Sequence, residues 1–117
     1  IIKSLLFKTE GSFTLVLVAG DRKASLNKIK KILNIKDTLM ASADEVKNIT
    51  GFTIGGVSPV GHINKIEIIV DQSLERFSSL FAAAGHPNCV FKITYLDLIK
   101  LTNGVEEEII EWGNQKL

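Results

Sequence analysis

A glycine- and proline-rich segment constrains the fold of this chain more than any other stretch. Residues 51–62, Gly-Phe-Thr-Ile-Gly-Gly-Val-Ser-Pro-Val-Gly-His, hold four of the nine glycines and one of the two prolines. Glycine permits positive φ and close approach to the backbone, whereas Pro59 fixes its own φ and favours an extended Ser58. We call this segment the glycine loop. Such a loop can direct several backbone N–H groups at one point, which suits an oxyanion, a phosphate or a polarised carbonyl.

The spacing within the glycine loop does not by itself identify a ligand. It lacks the Gly-Lys-Ser/Thr of a P-loop, and no Gly-x-Gly-x-x-Gly opens a helix as it does in dinucleotide-binding folds. A plain turn is the competing interpretation, because glycine and proline are common in turns of every kind.

Regular elements are predicted on both sides of the loop. Ser42-Ala43-Asp44-Glu45 has the Ser-x-x-Glu pattern of a capping box and predicts a helix to about Thr50, with Gly51 as its C′ residue. After the loop, residues 65–70 form a near-continuous apolar run, which is typical of a central, buried strand. The loop is therefore expected to be held between two rigid elements.

The remaining elements alternate between strands and helices, which predicts an α+β fold with a mixed sheet and flanking helices. Ser25 is the expected cap of the amphipathic helix at 26–34, whose lysines face outward. The expected strands are 2–8, 13–19, 38–41, 80–83, 89–94 and 105–112, of which the first two form a hairpin across 9–12. The segments between them are expected to include a helical turn at 72–76, a glycine turn at 84–88 and a capped helix at 95–102.

Length and composition fit one globular domain over residues 1–117, with 45% hydrophobic and 23% charged residues. The apolar runs are too short to span a membrane, and no leader precedes the first strand. Cys89 is the single cysteine, so it forms no internal disulfide, and we expect it in the core. These features favour a cytoplasmic protein.

The charges are unevenly distributed although the formal net charge is only +1. The low net charge argues against a protein that grips long nucleic acid electrostatically. A basic cluster is nevertheless present, and it is either a solvated helix face or a set of phosphate contacts. Its members are Arg22, Lys23, Lys28, Lys30, Lys31 and Lys36.

Several ordered motifs resemble those of the YbaK family of aminoacyl-tRNA editing domains, which are related to the insertion domain of bacterial prolyl-tRNA synthetase. The resemblance runs from about residue 2 to about residue 104. Its motifs are Ile-Lys-Ser-Leu-Leu at 2–6, Leu-Val-Leu-Val-Ala-Gly-Asp-Arg at 15–22, the glycine loop, Ile-Ile-Val-Asp at 68–71 and Ala-Ala-Gly-His-Pro at 83–87. It implies a partly barrel-like sheet, and an N-terminal segment that precedes Ile1 in full-length relatives.

The resemblance also implies which residues act. Backbone N–H groups of the Gly-x-x-x-Pro element would bind the aminoacyl ester, and Lys3 would hold the 3′ end of the substrate. Ser4 replaces the threonine of many relatives. The expected catalytic residues are Lys3, Gly55, Gly56, Val57, Ser58 and Pro59, and the expected substrate-binding residues are Phe52, Gly61, His62, Asp71, Gly85 and His86.

Alternative roles remain open for some of these residues. Lys3 is otherwise an exposed edge charge, and His86 is either a pocket residue or a turn histidine bonded to nearby backbone. Asp71 is either part of the site, with an acid–base pairing to His86 conceivable, or a strand-end cap. Phe52 and His62 shape the pocket mouth or simply pack. The histidines and the cysteine lack close ligand spacing, so neither a metal nor another cofactor is expected.

The resemblance leads to the expectation of a freestanding deacylase that hydrolyses a mischarged aminoacyl-tRNA, of the prolyl type and carrying a small wrong amino acid. The expected partners are the tRNA acceptor 3′ end and prolyl-tRNA synthetase, with no membrane partner, and the protein is expected to be a monomer. The alternatives are a non-catalytic module that binds a tRNA end or a synthetase, and an insertion domain excised from a larger synthetase.

Overall fold

The computed structural model describes residues 1–86 and 88–111. These residues form strands, three α-helices and one 3₁₀ helix. In chain order they are β1 Ile2–Thr9, β2 Ser12–Ala19, α1 Leu26–Leu33, β3 Leu39–Met40, α2 Ala43–Thr50, β4 Glu67–Asp71, the 3₁₀ helix Gln72–Arg76, β5 Leu80–His86, β6 Cys89–Ile93, α3 Tyr95–Thr102 and β7 Val105–Glu107.

Five of the strands form one mixed sheet in the order β3-β1-β2-β4-β7. β1 pairs antiparallel with β2 and β3, while β4 pairs parallel with both β2 and β7. β5 and β6 form a separate antiparallel ribbon. The predicted α+β class with a mixed sheet is confirmed. The sheet is open, with β3 and β7 at its edges, so the barrel-like closure that the resemblance implied is not present.

The sheet separates two hydrophobic cores because alternate side chains of a strand point to opposite faces. One core, the loop-side core, contains Ile2 and Leu6 of β1 together with Val57 of the glycine loop and residues of the ribbon and α3. The other, the α1-side core, contains Phe7 and Ile29. The predicted central position of β4 is confirmed, since its side chains contribute to both cores.

Local capping residues behave as their sequence patterns predict. Ser25 and Thr94 accept from the backbone N–H groups of the third residue after them, and Ser42 forms a full capping box with Glu45. Gly51 ends α2 with a φ of 86°. These interactions involve neighbours in the chain, and this is why the helix bounds are predictable.

Several predicted strand bounds differ from those observed. The turn between β1 and β2 is shorter than expected, because Thr9 and Ser12 already pair. β7 ends at Glu107, not at 112, because Ile109 and Ile110 both pack in the α1-side core, whereas consecutive side chains of a strand point to opposite faces. Instead, Ile109 N–H donates to Asp71 and Ile110 forms an isolated bridge with Ala24. Trp112 lies outside the described residues.

The prediction of a buried Cys89 is also wrong. Its side chain is exposed at the start of β6, where it pairs with His86 at the end of the ribbon. β5 continues to His86, three residues further than predicted, with an irregular register between Ala83 and His86. The Cys89 side chain at this end of the ribbon is therefore directed to solvent and not into the core.

Candidate functional site

Both ends of the glycine loop are fixed to the last turn of α2. Thr50 is fully buried; its hydroxyl donates to Val46 O (2.7 Å) and accepts from Phe52 N (3.0 Å). At the other end, Ile63 N donates to Thr50 O (3.2 Å) and the Asn64 amide donates to Ile49 O (3.0 Å). Neither Thr50 nor Asn64 is among the residues predicted for the site, although a hydroxyl residue directly before a C′ glycine is a usable signal.

A tight turn shapes the first half of the loop. Gly56 N donates to Thr53 O (2.9 Å), and Gly55 has a φ of 86° at the third position of this four-residue turn. That geometry is a type II turn, in which glycine is strongly preferred at this position. The N–H of Gly56 is therefore already used inside the loop, which removes one of the predicted donors.

The second half of the loop is buried and self-bonded. Val57 packs into the loop-side core, and Ser58 and Pro59 are buried beside it. The Ser58 hydroxyl accepts from Val60 N (3.3 Å), and its carbonyl oxygen accepts from Nε2 of His62 (2.7 Å). Ser58 thus fixes the loop through both its side chain and its backbone.

The amides that remain define where a ligand can bind. Within residues 1–86 and 88–111, no protein acceptor engages the N–H groups of Gly55, Val57 or Ser58, and the same holds for those of Thr53, Ile54, Gly61 and His62. These groups sit on a backbone held at both ends, so their directions are set before any ligand arrives. Preorganised donors of this kind stabilise a developing oxyanion or polarise a carbonyl.

Four of the predicted substrate-binding residues come together around one aromatic ring. Phe52 meets His62 edge-on, with 5.9 Å between ring centroids and 76° between planes. A Cβ placed on Gly61 would lie 3.7 Å from this ring, and one on Gly85 would lie 3.0 Å from it. The end of β5 therefore packs against the glycine loop, and a larger residue at Gly85 would displace Phe52.

Asp71 and His86 are engaged separately and do not pair with each other. Asp71 is fully buried; it accepts from Ser73 N (3.0 Å), from the Ser73 hydroxyl and from Ile109 N (2.8 Å). These contacts are those of a strand-end cap, which was one of the two roles considered for Asp71 from the sequence. His86 is exposed, and its Nδ1 accepts from Asn88 N (3.2 Å), which is the turn-histidine arrangement.

Lys3 lies on the opposite face of the sheet from the side chain of Val57. It shares its face of β1 with Leu5 and Phe7, and its Nζ donates to Arg22 O (2.6 Å). This side chain lines a cavity of about 330 Å³ on the α1 side. The structure therefore does not bring Lys3 beside the glycine loop.

The lysines of the basic cluster differ in their contacts. Nζ of Lys28 forms an ion pair with Glu108 (2.9 Å) and donates to Ile110 O (2.8 Å). It therefore holds the C-terminal part of the chain against α1, while Lys23, Lys31 and Lys36 are exposed. No helix in the described ranges has the length and apolarity needed to cross a membrane.

The fold and the loop together define an α+β domain with a candidate backbone-amide site. The chain belongs to the aminoacyl-tRNA editing domain family, which matches residues 1–101. A solved structure described as that of a proposed trans-editing enzyme for prolyl tRNA synthetase superposes with a TM-score of 0.90 at 34% identity, covering 94% of this chain and 69% of that one.

Two curated relatives extend the comparison. Proline–tRNA ligase from Bacillus licheniformis is 43% identical over 84 residues, which is 72% of this chain and 14% of the ligase. The uncharacterized protein YwhH from Bacillus subtilis (strain 168) is 38% identical over 99 residues, which is 84% of this chain and 62% of YwhH. The chain thus spans only a part of each relative.

Proposed function

We propose that this protein is a trans-editing deacylase that hydrolyses the ester of a mischarged tRNA, with tRNA(Pro) carrying a small non-cognate amino acid as the substrate. The observation that carries the proposal is the set of unengaged amides of Gly55, Val57 and Ser58 in a rigid loop. Membership of the editing-domain family and similarity to prolyl-tRNA ligases support the choice of substrate. The site of action is the cytoplasm, where tRNA is charged.

In the proposed reaction, water attacks the carbonyl carbon of the aminoacyl ester. The carbonyl oxygen becomes an oxyanion that accepts from the loop amides, and each donor contributes roughly 3 kcal/mol in a dry site. The bond from carbon to the ribose oxygen then breaks, and that oxygen takes the proton that the attacking water gives up. We assign assistance of the water to the 2′-hydroxyl of the terminal adenosine, so no side-chain nucleophile is required.

The role of Ser58 in this mechanism is structural. Its hydroxyl already accepts from Val60 N, and its carbonyl oxygen is bonded to His62. It therefore supplies its N–H to the substrate and keeps the loop in shape. Gly56 also keeps the loop in shape but offers no N–H to the substrate, because its amide closes the turn that orients Gly55.

Selectivity is assigned to the space around Phe52. The ring is packed between Gly61 and Gly85, with His62 against its edge. A synthetase pocket discriminates weakly against smaller amino acids, so a second hydrolytic site that excludes the correct product improves fidelity. We assign the exclusion of proline to this ring and its neighbours.

Lys3 is assigned to binding of the RNA, away from the bond that breaks. Its Nζ lies on the α1 side of the sheet and is held by Arg22 O. A cation at that place cannot donate to an oxyanion held by the glycine loop on the other side. It can neutralise a phosphate of the 3′ strand where that strand passes the start of β1.

The function is tested by measuring release of amino acid from tRNA(Pro) charged with alanine, cysteine, serine, threonine or 2-aminobutyrate, with prolyl-tRNA(Pro) as the control. We expect hydrolysis of one or two small amino acids while proline is spared. Failure to release any of them, combined with retained tRNA binding, would instead identify a non-catalytic binding module.

A further inference from the structure

The outward face of the β5–β6 ribbon combines exposed apolar and cationic side chains. Phe81 pairs with Lys92 across the ribbon, and Ala83 pairs with Val90. Direct cross-strand partners share a face, so these four side chains lie on the side away from the core. Phe81 is 42% exposed and Val90 52% exposed. A large aromatic ring is thus presented to solvent beside a lysine.

A second lysine extends this face onto α3. Lys92 and Lys100 line one surface cavity of about 430 Å³, together with Ile93, Asp97 and Leu101. Both lysines are exposed, and neither forms an ion pair with any of the described residues, although Asp97 lines the same cavity. We call Phe81, Val90, Lys92, Lys100 and Leu101 the ribbon surface.

The ribbon surface is connected to the candidate site by β5 itself. Gly85 packs against Phe52, and Phe81 lies four residues earlier on the same strand. At about 3.3 Å per residue, and with the irregular register after Ala83, the two positions are at most about 13 Å apart. That separation corresponds to a few nucleotides of a single strand.

We propose that the ribbon surface binds the single-stranded RNA next to the terminal nucleotide of the substrate, with a base stacked on Phe81 and phosphates paired with Lys92 and Lys100. The identity of the RNA rests on the proposed function. Aromatic rings and lysines are the groups that bind single strands without reading sequence. Two lysines and one aspartate leave a positive charge, which favours an RNA over a neutral or basic protein surface.

The first test reverses both charges in Lys92→Glu/Lys100→Glu and measures binding of uncharged tRNA across a salt series. We expect affinity to fall at least tenfold and the slope of log K against log salt to decrease by about 1.4, which is about 0.7 for each phosphate that is no longer neutralised. Lys31→Glu/Lys36→Glu is the matched control, because it also reverses two exposed lysines, both of the basic cluster. A larger effect of the control than of the ribbon variant would overturn the proposal in favour of the basic cluster.

The second test removes the aromatic ring while keeping apolar bulk. Phe81→Leu should weaken tRNA binding several-fold, with an unchanged melting temperature, because a base stacks on the flat face of the ring and gains little from an aliphatic group of similar volume. Neither ribbon variant should change hydrolysis of a substrate reduced to aminoacyl-adenosine. An equal loss on this reduced substrate would mean that the ribbon acts through the fold, and the proposal would fall.

The outcomes separate this proposal from the proposed function. Ribbon-dependent tRNA binding without deacylation contradicts the deacylase but supports the RNA surface. Deacylation and tRNA binding that both ignore the ribbon variants contradict the surface alone. If the same variants bind tRNA normally but lose affinity for prolyl-tRNA synthetase, the ribbon is a protein-binding surface and the RNA proposal is wrong.

Discussion

At the scale of single residues, the chemistry of the glycine loop depends on which backbone groups are already bonded. Gly56 and Gly55 are adjacent glycines in the sequence, yet one closes a turn and the other has a free N–H with a φ of 86°. Ser58 is buried and bonded to Val60 and His62. The loop therefore works through its backbone conformation, and substitutions that alter φ are more damaging than those that remove a hydroxyl.

Gly55→Val should lower deacylation more than Ser58→Ala does. A Cβ at position 55 would contact nothing within 4 Å, so its effect comes from the positive φ, which costs a non-glycine residue about 1–2 kcal/mol. Single-turnover hydrolysis rates of the two variants check the order. The reverse order would indicate hydroxyl chemistry at Ser58.

Lys3→Ala should weaken deacylation strongly while leaving the circular dichroism spectrum and the melting temperature unchanged. A role in RNA binding predicts that KM rises more than kcat falls, with partial rescue by Lys3→Arg. Lys23→Ala, in the same cavity, is the matched control for removal of a nearby charge. Equal activity of Lys3→Ala and the parent protein would remove Lys3 from the mechanism.

Asp71→Asn should destabilise the fold without abolishing activity. The buried carboxylate accepts from the Ser73 amide and hydroxyl and from Ile109 N, and a misplaced amide group leaves buried donors unsatisfied at a cost of about 1–3 kcal/mol each. Urea unfolding measures this loss of stability. A variant with normal stability and no activity would restore Asp71 to the substrate site.

At the scale of secondary-structure elements, the sequence predicts what is local. All three helices were predicted within a residue or two, because their caps are bonded to neighbours in the chain. The end of the last strand was not predicted correctly, since Ile109 and Ile110 are placed by contacts with Asp71 and Ala24, which are far away in the sequence. The exposure of Cys89 was not predicted either. The environment of Tyr95 also depends on residues outside its own helix. Burial, together with its hydrogen bond to Glu106, raises the pKa of the Tyr95 hydroxyl.

α2 links stability to the site, because its last turn holds both ends of the glycine loop. Ser42→Ala removes the cap of this helix and should cost about 1 kcal/mol in the free energy of unfolding. Ser42→Asn retains a capping oxygen and serves as the control. Urea unfolding gives the cost, and a rise in the exchange rate of the Ile63 amide would show that fraying reaches the loop.

The capping box also predicts a pH dependence. The hydrogen bond from Ser42 N, aided by Lys8, lowers the pKa of the Glu45 carboxyl. A lowered pKa in the folded state means that the contribution is complete above the unfolded-state pKa and is lost as the pH falls through the folded-state value. Glu45→Gln should therefore match the parent's stability in acid and fall below it at neutral pH.

At the scale of the whole molecule, the sheet decides which predicted residues meet. The sequence shows that Lys3, Leu5 and Phe7, at alternate positions of a strand, share one face of the sheet. Which of the two faces carries the glycine loop is set by how α2 and the ribbon pack. Gly61 and Gly85 are far apart in the chain, but both lie next to the ring of Phe52. The motifs were therefore predictable as a set, whereas their arrangement in space was not.

The proposed mechanism requires that a rigid set of backbone amides hydrolyses a mischarged ester and spares the correct one. The most direct measurement compares single-turnover hydrolysis of prolyl-tRNA(Pro) with that of tRNA(Pro) carrying the small amino acid of the panel that is released fastest, by the parent protein and by Gly55→Val. We predict that the parent releases this small amino acid at least tenfold faster than proline and that Gly55→Val loses most of this activity. Equal release of the two amino acids, or full activity in Gly55→Val, would contradict this mechanism.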